Sequence, residues 1–580
     1  MIFCMAMLEM AGVASIMPFM ALLANPSVVE TNAYLSAAYR FLGFATSQAF
    51  LLFVGCVVLI LFVGSLTFKA LNIYAINRFA AMRAHSFSYR LLEGYLHKPY
   101  SFFLGRNTAD LNKTIFSEVG EIINGALIPA LKVISGGFVA TLIILLLFVV
   151  DPVLTMIVGL VLGGAFTGVY VVSRNFLRRL GEEQVLVNKQ RFILASEALD
   201  GIKELRLMGR EQNYLKRFAK ASKRYAVCQA SSKAVGDIPH YAIQAIAFGG
   251  ILVMILFLMS RYGSLQGALP VIALYVFAGY RMMPALQELF KNVTQLRYYV
   301  AMLNSLHADL SSMQVPDKAA AAAIEAEGAA PLGGELRLEH VSFAYPGAES
   351  EAIRDLSLVI GRGNSVAFVG ATGAGKSTVV DLILGLLEPT AGRITVAGQP
   401  LSGGNLRGWQ KNVGYVPQTI YLADTSVAEN IAFGLFPEEI DMQAVERAAR
   451  VANIHDFIVE SLPEGYATSV GERGIRLSGG QRQRIGIARA LYHNPEVVVF
   501  DEATSALDNA TEASVMEAID SLKGEKTLLL IAHRLTTVQR CDRIFLLEQG
   551  RLCAAGSYDE LLADSEAFNR MVKGITEKEN

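Results

Sequence analysis

The stretch "NSVAFVGATGAGKSTVVDLILGLL", residues 364–387, joins a short apolar run, a glycine-rich turn and a second apolar run. We interpret the two runs as a buried strand and a helix. Between them, Gly370, Gly375, Lys376 and Ser377 fit the pattern G-x-x-x-x-G-K-[ST]. This pattern wraps backbone N–H groups around nucleotide phosphates when a strand precedes it and a helix follows it. The sequence therefore predicts an α/β domain with a phosphate-binding loop.

The residue types in this loop suit the binding of nucleotide phosphates and Mg²⁺. Small side chains let backbone N–H groups surround the β- and γ-phosphates, and the helix N-terminus adds positive potential. Lys376 supplies a point charge to those phosphates, and the Ser377 hydroxyl can bind Mg²⁺. We expect contacts with the nucleotide from Gly370, Ala371, Thr372, Gly373, Ala374, Gly375, Lys376, Ser377 and Thr378.

Two further apolar runs end in polar side chains that suit nucleotide hydrolysis. "EVVVFDEATSALD", residues 496–508, reads as a buried strand that ends in Asp501 and Glu502. Asp501 can bind Mg²⁺, mostly through water, and Glu502 can polarise the attacking water as a general base. "TLLLIAH", residues 527–533, delivers His533 to the same edge, where an imidazole can reach the γ-phosphate. A lone histidine is more often structural, but beside these motifs His533 is a predicted catalytic residue.

The N-terminal half is built of long apolar blocks. The whole chain of 580 residues is 53% hydrophobic and 18% charged, whereas charged residues make up about a quarter of a soluble protein. Six blocks are each long enough to cross roughly 30 Å of hydrocarbon as a helix. They comprise residues 1–24, 49–73, 126–150, 152–173, 238–260 and 267–290. The sequence predicts an all-α membrane domain of six helices (1–312), a linker (313–334) and a soluble α/β domain (335–580).

The distribution of lysine and arginine predicts the orientation of the spans. The connections 25–48 and 261–266 carry one arginine each, and the turn 151–152 carries none. The long connections 77–125 and 174–237 are rich in both residues, which places them, the α/β domain and both termini in the cytoplasm. Their helical character indicates membrane helices that continue into water; a separate soluble subdomain is the alternative.

Charge and cysteine content exclude several function classes. The formal net charge is −1, which together with six membrane spans argues against a nucleic-acid partner. The five cysteines have no metal-ligand spacing, so neither a zinc site nor a disulfide framework is expected. No peptidase-like pairing of cysteine and histidine precedes the spans, so a protease is not expected either.

The segment "LSGGQ", residues 477–481, lies between the phosphate loop and the carboxylate strand. This arrangement resembles the ATP-binding cassette (ABC) ATPases, and six spans followed by one cassette resemble ABC exporters over essentially the whole chain. By this resemblance, Tyr345 in "VSFAYPG" stacks on adenine, and Gln418 in "GYVPQ" contacts Mg²⁺ and water. Asp508 in "SALD" communicates between two cassettes, and "SVGERG", residues 469–474, is typical of exporters.

The resemblance also implies a dimer with ATP and Mg²⁺ as cofactors. In this family each ATP lies between the phosphate loop of one chain and the LSGGQ segment of the other. The residues implied in that segment are Ser478, Gly479, Gly480 and Gln481, and the implied Mg²⁺ ligands are Ser377, Gln418 and Asp501. One chain carries one of each half-site, and none of its catalytic motifs is degenerate, which favours a homodimer with two competent sites.

Two cytoplasmic segments, 102–116 and 201–218, resemble the coupling regions of exporters, where short helices dock on the cassettes. Their charges can equally be read as solvated faces. Such exporters usually carry an amphipathic helix before the first span, whereas this sequence starts directly inside that span. Either the start is truncated or that element is missing.

The sixth block contains one arginine, Arg281, within "VFAGYRMMPALQELF", residues 276–290. A cation at the centre of a membrane helix costs about 2.5–3.5 kcal/mol on insertion scales, and it suggests a function by default. Counted from the start of the block, Arg281 lies roughly 21 Å deep, so it could snorkel to the cytoplasmic interface or bind an anionic cargo. Lys69, Arg78 and Arg83 could complete a basic cavity for a phosphate or pyrophosphate headgroup.

Two membrane features narrow the expected cargo. "NAYLSAAYRFLGF", residues 32–44, could be an amphipathic helix on the outer interface or an ordinary ordered loop, and "YRMMPAL", residues 280–286, pairs an arginine with a proline. Together they resemble the lipid-linked oligosaccharide flippases of bacterial protein N-glycosylation. The expected function is therefore ATP-driven flipping of a lipid-linked saccharide across the bacterial inner membrane.

Two other functions stay open at this point. An exporter of lipid A, hydrophobic drugs or peptides is the alternative within transport. An ATP-gated channel or regulator is the alternative from another class, and its usual mark is a degenerate catalytic site.

Overall fold

The computed structural model describes residues 1–262, 265–312, 334–502, 509–532 and 534–579. The chain divides into two compact units. The first comprises Met1–Lys98 and Arg106–Val315, and the second comprises Pro99–Gly105 and Pro316–Asn580. Apart from Gly334, the linker predicted at 313–334 lies outside the described residues.

The described part of the first unit is helical. Its α-helices, numbered along the chain, are α1 (Ile2–Ala14), α2 (Ile16–Ala24), α3 (Val28–Thr31), α4 (Ala33–Phe41), α5 (Ser47–Leu96), α7 (Thr108–Lys113), α8 (Val119–Ile122), α9 (Ile128–Val150), α10 (Pro152–Asp200), α11 (Ile202–Leu207), α12 (Glu211–Tyr262) and α13 (Leu265–Ser312). Two π-helical turns, Thr114–Glu118 and Ile123–Leu127, flank α8. The short helix α6 (Tyr100–Leu104) belongs to the second unit.

The apolar blocks form helices that are longer than a membrane is thick. Helices α5, α10 and α12 have 50, 49 and 52 residues, or about 75 Å each at 1.5 Å per residue. Within the described residues, three stretches are long and apolar enough to cross a membrane: Ile2–Ala24, Ser47–Leu96 and Asp110–Val150. These contain the first three predicted spans.

The other three predicted spans, 152–173, 238–260 and 267–290, fall in α10, α12 and α13. Part of their side chains lies outside the described residues.

The connection between the first two spans contains a helix, α4. The Oδ1 atom of Asn32 accepts hydrogen bonds from the backbone N–H groups of Tyr34 and Leu35, as an N-cap residue does. None of the α4 residues is buried. The segment is therefore a helix rather than the alternative ordered loop.

Helices α1, α9 and α13 share an apolar core in the first unit. Val13 of α1, Ile143 of α9 and Ala278 of α13 are fully buried there. Lipid tails are as apolar as these side chains, so helix association in a membrane depends on close packing and polar bonds. The buried Asn72 supplies one such bond, because its Nδ2 atom donates to Ser135 Oγ at 3.2 Å and joins α5 to α9.

The second unit contains two sheets and short helices. Its strands are β1 (Leu336–Phe343), β2 (Ile353–Ile360), β3 (Ser365–Val369), β4 (Ala391–Val396), β5 (Gln399–Pro400), β6 (Val413–Val416), β7 (Val497–Asp501), β8 (Thr527–Ile531), β9 (Arg543–Glu548) and β10 (Arg551–Gly556). Its remaining α-helices are α14 (Lys376–Ile383), α15 (Gly403–Lys411), α16 (Val427–Ile431), α17 (Met442–Val451), α18 (Gly479–Leu491), α19 (Asn509–Asp520), α20 (Leu535–Val538), α21 (Tyr558–Asp564) and α22 (Glu566–Glu579).

The larger sheet positions the candidate site. Its strand order is β10-β9-β3-β8-β7-β6, and β3, β8, β7 and β6 pair in parallel. Every residue of β3 and β8 is buried, as expected for parallel strands covered on both faces. The carboxyl ends of these parallel strands lie at one edge of the sheet, where α/β proteins bind ligands. The predicted fold class, a helical membrane domain fused to an α/β domain, is confirmed.

Candidate functional site

The phosphate loop begins where β3 ends and stops where α14 begins. Its glycines Gly370, Gly373 and Gly375 have φ angles of 147°, 82° and 101°. Positive φ angles of this size strain residues that carry a Cβ atom. The glycines in the sequence pattern therefore correspond to backbone conformations that the turn requires.

The loop is closely packed at both ends and open in the middle. A Cβ atom on Gly370 would lie 2.2 Å from the carbonyl oxygen of Leu547, and one on Gly375 would lie 2.7 Å from Cδ1 of Ile353. A Cβ atom on Gly373 would have no neighbour within 4 Å among the described residues. An open, glycine-lined turn at a helix N-terminus fits a phosphate group held by backbone N–H groups.

The side chain of Lys376 folds back over this loop. Its Nζ atom donates hydrogen bonds to the carbonyl oxygens of Gly370 at 2.9 Å and Ala371 at 3.1 Å. Burial lowers the pKa of Lys376, while the charges of Glu502 and Asp501 oppose that shift. The ammonium group is thus held over the phosphate loop, where phosphate oxygens can replace the two carbonyl acceptors.

The paired carboxylates lie at the carboxyl end of β7. The hydroxyl of Tyr415 donates to Asp501 Oδ2 at 3.3 Å, and Nε2 of Gln418 donates to Glu502 Oε2 at 2.5 Å. Glu502 has a φ angle of 48°, an uncommon conformation for a residue with a side chain that recurs at functional sites. The parallel pairing of β6 and β7 therefore brings Gln418 to the carboxylate of Glu502.

Tyr345 lies beside the first turn of α14. Its hydroxyl shares a hydrogen bond of 3.0 Å with Thr378 Oγ1, and the ring of Phe343 packs against it edge-on at 5.0 Å. These two contacts fix the aromatic ring next to the phosphate loop.

The LSGGQ segment forms the start of α18. The hydroxyl of Ser478 accepts a hydrogen bond from the N–H of Gln481 at 3.2 Å, and Gln481 Oε1 accepts one from the N–H of Ser478 at 2.7 Å. This reciprocal cap leaves the Ser478 hydroxyl proton free to donate. Ser478 and Gly479 are exposed, whereas Gly480 is buried.

Two predicted site residues, Asp508 and His533, lie outside the described residues. The site also contains a carboxyl group that the sequence did not single out, Asp381 on α14. Burial, and then the charge of Asp501, raise the pKa of Asp381 to about 6. The sequence feature that could have identified Asp381 is its position as a charged residue inside the apolar run "VVDLILGLL".

In the first unit, two of the four predicted basic residues come together. Oε1 of Glu9 lies 3.8 Å from Lys69 Nζ and 3.9 Å from Arg281 Nη1. Nη2 of Arg281 also donates to Ser65 Oγ at 3.3 Å. Arg281 is thus paired with an acidic residue from the first span, a partner that neither the snorkelling nor the cargo interpretation included. Two opposite charges in apolar spans were the signal that could have found it.

The other two predicted residues lie elsewhere. Arg78 and Arg83 are about 14 Å and 21 Å further along α5 than Lys69, and both are exposed. The guanidinium of Arg83 packs over the ring of Phe79 at 5.2 Å. No described contact joins Arg78 or Arg83 to the cluster of Glu9, Lys69 and Arg281.

Comparisons with known proteins agree with this architecture. The ABC transporter family matches residues 353–505, and the ABC transporter transmembrane region matches residues 15–278. An ATP-dependent lipid A-core flippase of Cupriavidus metallidurans is 33% identical over 491 residues, which are 83% of this chain and 80% of that protein. A protein of the same name from Pseudomonas aeruginosa is 31% identical over 489 residues, covering 84% of this chain and 79% of that protein.

A solved structure shares the fold over nearly the full length. The structure of a bacterial Atm1-family ABC exporter with ATP bound has a TM-score of 0.79, with coverage of 99% of this chain and 97% of that one, at 24% identity. The phosphate loop, the carboxylate strand and the matched transmembrane region lie in one chain. The chain is therefore a multi-pass, ATP-driven membrane transporter, and it belongs to the ABC transporter family as an exporter-type half-transporter.

Proposed function

We propose that two copies of this chain form a homodimer that flips an anionic, amphiphilic lipid across the bacterial inner membrane. The observation that carries this proposal is the pair of cations, Lys69 and Arg281, that converge on one carboxylate among apolar helices. A cation held in a membrane domain suggests a function, and a phosphate-bearing headgroup is the matching anion.

The ATP site is proposed to work through the residues at the sheet edge. Lys376 and the loop backbone hold the phosphates, Tyr345 contacts the base, and Glu502 accepts the proton of the attacking water. Asp501, Ser377 and Gln418 supply oxygen ligands of the kind that Mg²⁺ prefers. Bound Mg²⁺ would neutralise charge on the phosphates. In this proposal Asp508 and His533 also belong to the site.

The homodimer is proposed because the chain carries one phosphate loop and one LSGGQ segment, which resemble the two halves of an ABC ATP site. Within the described residues, the hydrogen bonds of Ser478 and Gln481 are confined to their own helix cap. The exposed face at Ser478 and Gly479 is available to a second copy. We propose that it completes the ATP site at the phosphate loop of that copy.

For the cargo, we propose a polyprenyl-pyrophosphate-linked oligosaccharide. The net positive charge of the Glu9, Lys69 and Arg281 cluster favours a headgroup with phosphate charge. The second candidate is lipid A, because several similar proteins are named lipid A-core flippases. Both candidates are amphiphilic lipids, so the fold alone does not separate them.

The test is lipid flipping by the purified chain in proteoliposomes. A polyprenyl-pyrophosphate oligosaccharide, lipid A and a cationic drug are compared under the same ATP concentration. We expect the oligosaccharide lipid to be flipped fastest, and Glu502→Gln to stop flipping while ATP binding is retained. Equal rates for all three cargoes would contradict the proposed specificity. A faster rate with lipid A would favour the second candidate.

A further inference from the structure

Glu9 of α1 lies between two cations from two other helices. Its Oε1 atom is 3.8 Å from Lys69 Nζ on α5 and 3.9 Å from Arg281 Nη1 on α13. Only 4% of the Glu9 side chain is exposed, against 9% for Arg281 and 43% for Lys69. A charge buried to this degree is costly without partners. The three residues therefore form one electrostatic unit with two positive charges and one negative charge.

The carboxylate offsets part of the positive charge without forming a hydrogen bond to either cation. Both distances exceed about 3.2 Å, the upper end of the usual N–H···O range. Another ion pair of the helical unit is in direct contact: Lys132 Nζ lies 3.0 Å from Glu288 Oε1. Glu9 thus leaves the donors of Lys69 and Arg281 open to another acceptor.

Arg281 in particular has unused donor capacity. Its Nη2 atom donates to Ser65 Oγ, and its guanidinium lies over the ring of Phe62 at 4.5 Å. Its buried Nε atom has no hydrogen-bond partner among the described residues. An unpaired buried donor is unfavourable, and a guanidinium fork matches the oxygens of a phosphate group. A larger anion than the Glu9 carboxylate would satisfy this arginine better.

We propose that Glu9 is an internal counter-ion that holds the place of the cargo's anionic headgroup. A phosphate group that enters the cluster displaces the Glu9 carboxylate from Lys69 and Arg281, and Glu9 returns when the cargo leaves. The exposed side of Lys69 provides the approach. Arg281 is therefore never left buried beside Lys69 without an anion. This inference rests on the proposed function, and it adds a residue that sets selectivity for headgroup charge.

The test is equilibrium binding to the full chain in detergent, with saturating ADP to occupy the nucleotide site. The two fluorescent probes are a short-chain polyprenyl pyrophosphate and the uncharged polyprenol with the same tail. The affinity for the pyrophosphate divided by the affinity for the polyprenol measures recognition of headgroup charge. We expect Glu9→Gln to raise this ratio on the order of tenfold, within the usual range of coupling between two sites. The matched control, Glu288→Gln, removes a carboxylate from a closed pair and should leave the ratio unchanged.

A double-mutant cycle distinguishes displacement from a general change of charge. In an Arg281→Gln background, Glu9→Gln should lose most of its effect, because the cation for which Glu9 competes is gone. An unchanged ratio in Glu9→Gln, or an undiminished effect in the Arg281→Gln background, would overturn the proposal.

Glu9→Asp provides the same test if Glu9→Gln fails to fold. This variant keeps the negative charge, but its shorter side chain moves the carboxylate away from the cations, so it should raise the ratio by a smaller factor. An unchanged ratio in folded Glu9→Asp would likewise overturn the proposal. Failure of the proposed function is a separate result, seen as absence of flipping by the wild-type chain in proteoliposomes.

Discussion

Gln418 Nε2 donates a hydrogen bond to Glu502 Oε2 at 2.5 Å. The two residues are 84 positions apart in the sequence, and the parallel pairing of β6 with β7 brings them together. The bond fixes the carboxylate that is proposed to act as general base, so the geometry of Glu502 depends on the strand that carries Gln418.

The first prediction concerns this bond. Gln418→Ala should lower ATP hydrolysis by about tenfold while ATP binding changes little. This is less than the roughly 10²–10⁴-fold that a general acid–base group contributes, because Gln418 positions Glu502 and does not itself take the proton. The measurement is steady-state ATPase activity alongside nucleotide binding by the purified chain. Gln443→Ala, on the exposed side of α17, is the matched control and should hydrolyse ATP normally. Normal hydrolysis by Gln418→Ala would show that Glu502 does not need this partner.

The second prediction concerns the backbone of the phosphate loop. Gly375→Ala should abolish ATP binding, because its Cβ atom would lie 3.1 Å from the backbone carbonyl oxygen of Ala352 as well as 2.7 Å from Ile353 Cδ1, and its φ angle is 101°. Gly398→Ala is the matched control. It also has a positive φ angle of 79°, but no described atom lies within 4 Å of the added Cβ. Nucleotide affinity that survives in Gly375→Ala would contradict the described packing of the loop.

The third prediction uses the single tryptophan of the chain. Trp409 is 4% exposed, and its Nε1 atom donates to the carbonyl oxygen of Ile383 at the end of α14. Its fluorescence should therefore be blue-shifted and poorly quenched by acrylamide in the native chain, and both properties should be lost on unfolding. Emission typical of a water-exposed indole in the native chain would contradict this position. The signal reports the ATPase domain alone.

The fourth prediction is a pH dependence of stability that arises from Cys541. Burial raises the pKa of this thiol from 9.0 to about 11. The unfolded thiol ionises first as the pH rises, so the folded state loses stability between pH 9 and pH 11. The loss at pH 11 is on the order of 2 kcal/mol, from about 1.36 kcal/mol per pKa unit.

The measurement for Cys541 is thermal unfolding followed by Trp409 fluorescence at several pH values. Cys541→Ala should show a smaller fall in melting temperature over this range than the wild type. The matched control, Cys553→Ala, removes an exposed cysteine and should keep most of the wild-type fall. Identical pH profiles for wild type and Cys541→Ala would contradict the assignment.

The sequence was sufficient for the parts of the fold and site that depend on local pattern. The phosphate loop of Gly370 to Thr378 is contiguous, so its glycines and Lys376 could be identified before any tertiary structure was known. Asp501 and Glu502 follow an apolar run that reads as a buried strand, whereas Gln418 was included only through the resemblance of "GYVPQ" to ABC ATPases. The hydrogen bond from Gln418 to Glu502 was not predicted, because it depends on the parallel pairing of β6 with β7.

Tertiary contacts between distant charges were harder to foresee. Glu9 and Arg281 stand 272 positions apart in the sequence, and no local pattern states which face of α1 meets which face of α13. Asp381 was missed for a similar reason, since its raised pKa arises from burial and from Asp501 on another element. These positions depend on helix and strand packing, which residue spacing does not determine.

The central claim is that ATP hydrolysis at this site drives the movement of an anionic lipid. The most direct measurement is the flipping of a polyprenyl-pyrophosphate oligosaccharide by proteoliposomes that contain either wild type or Glu502→Gln. We predict ATP-dependent flipping by the wild type, and none by Glu502→Gln although it still binds ATP. Equal flipping by the two proteins would contradict the account.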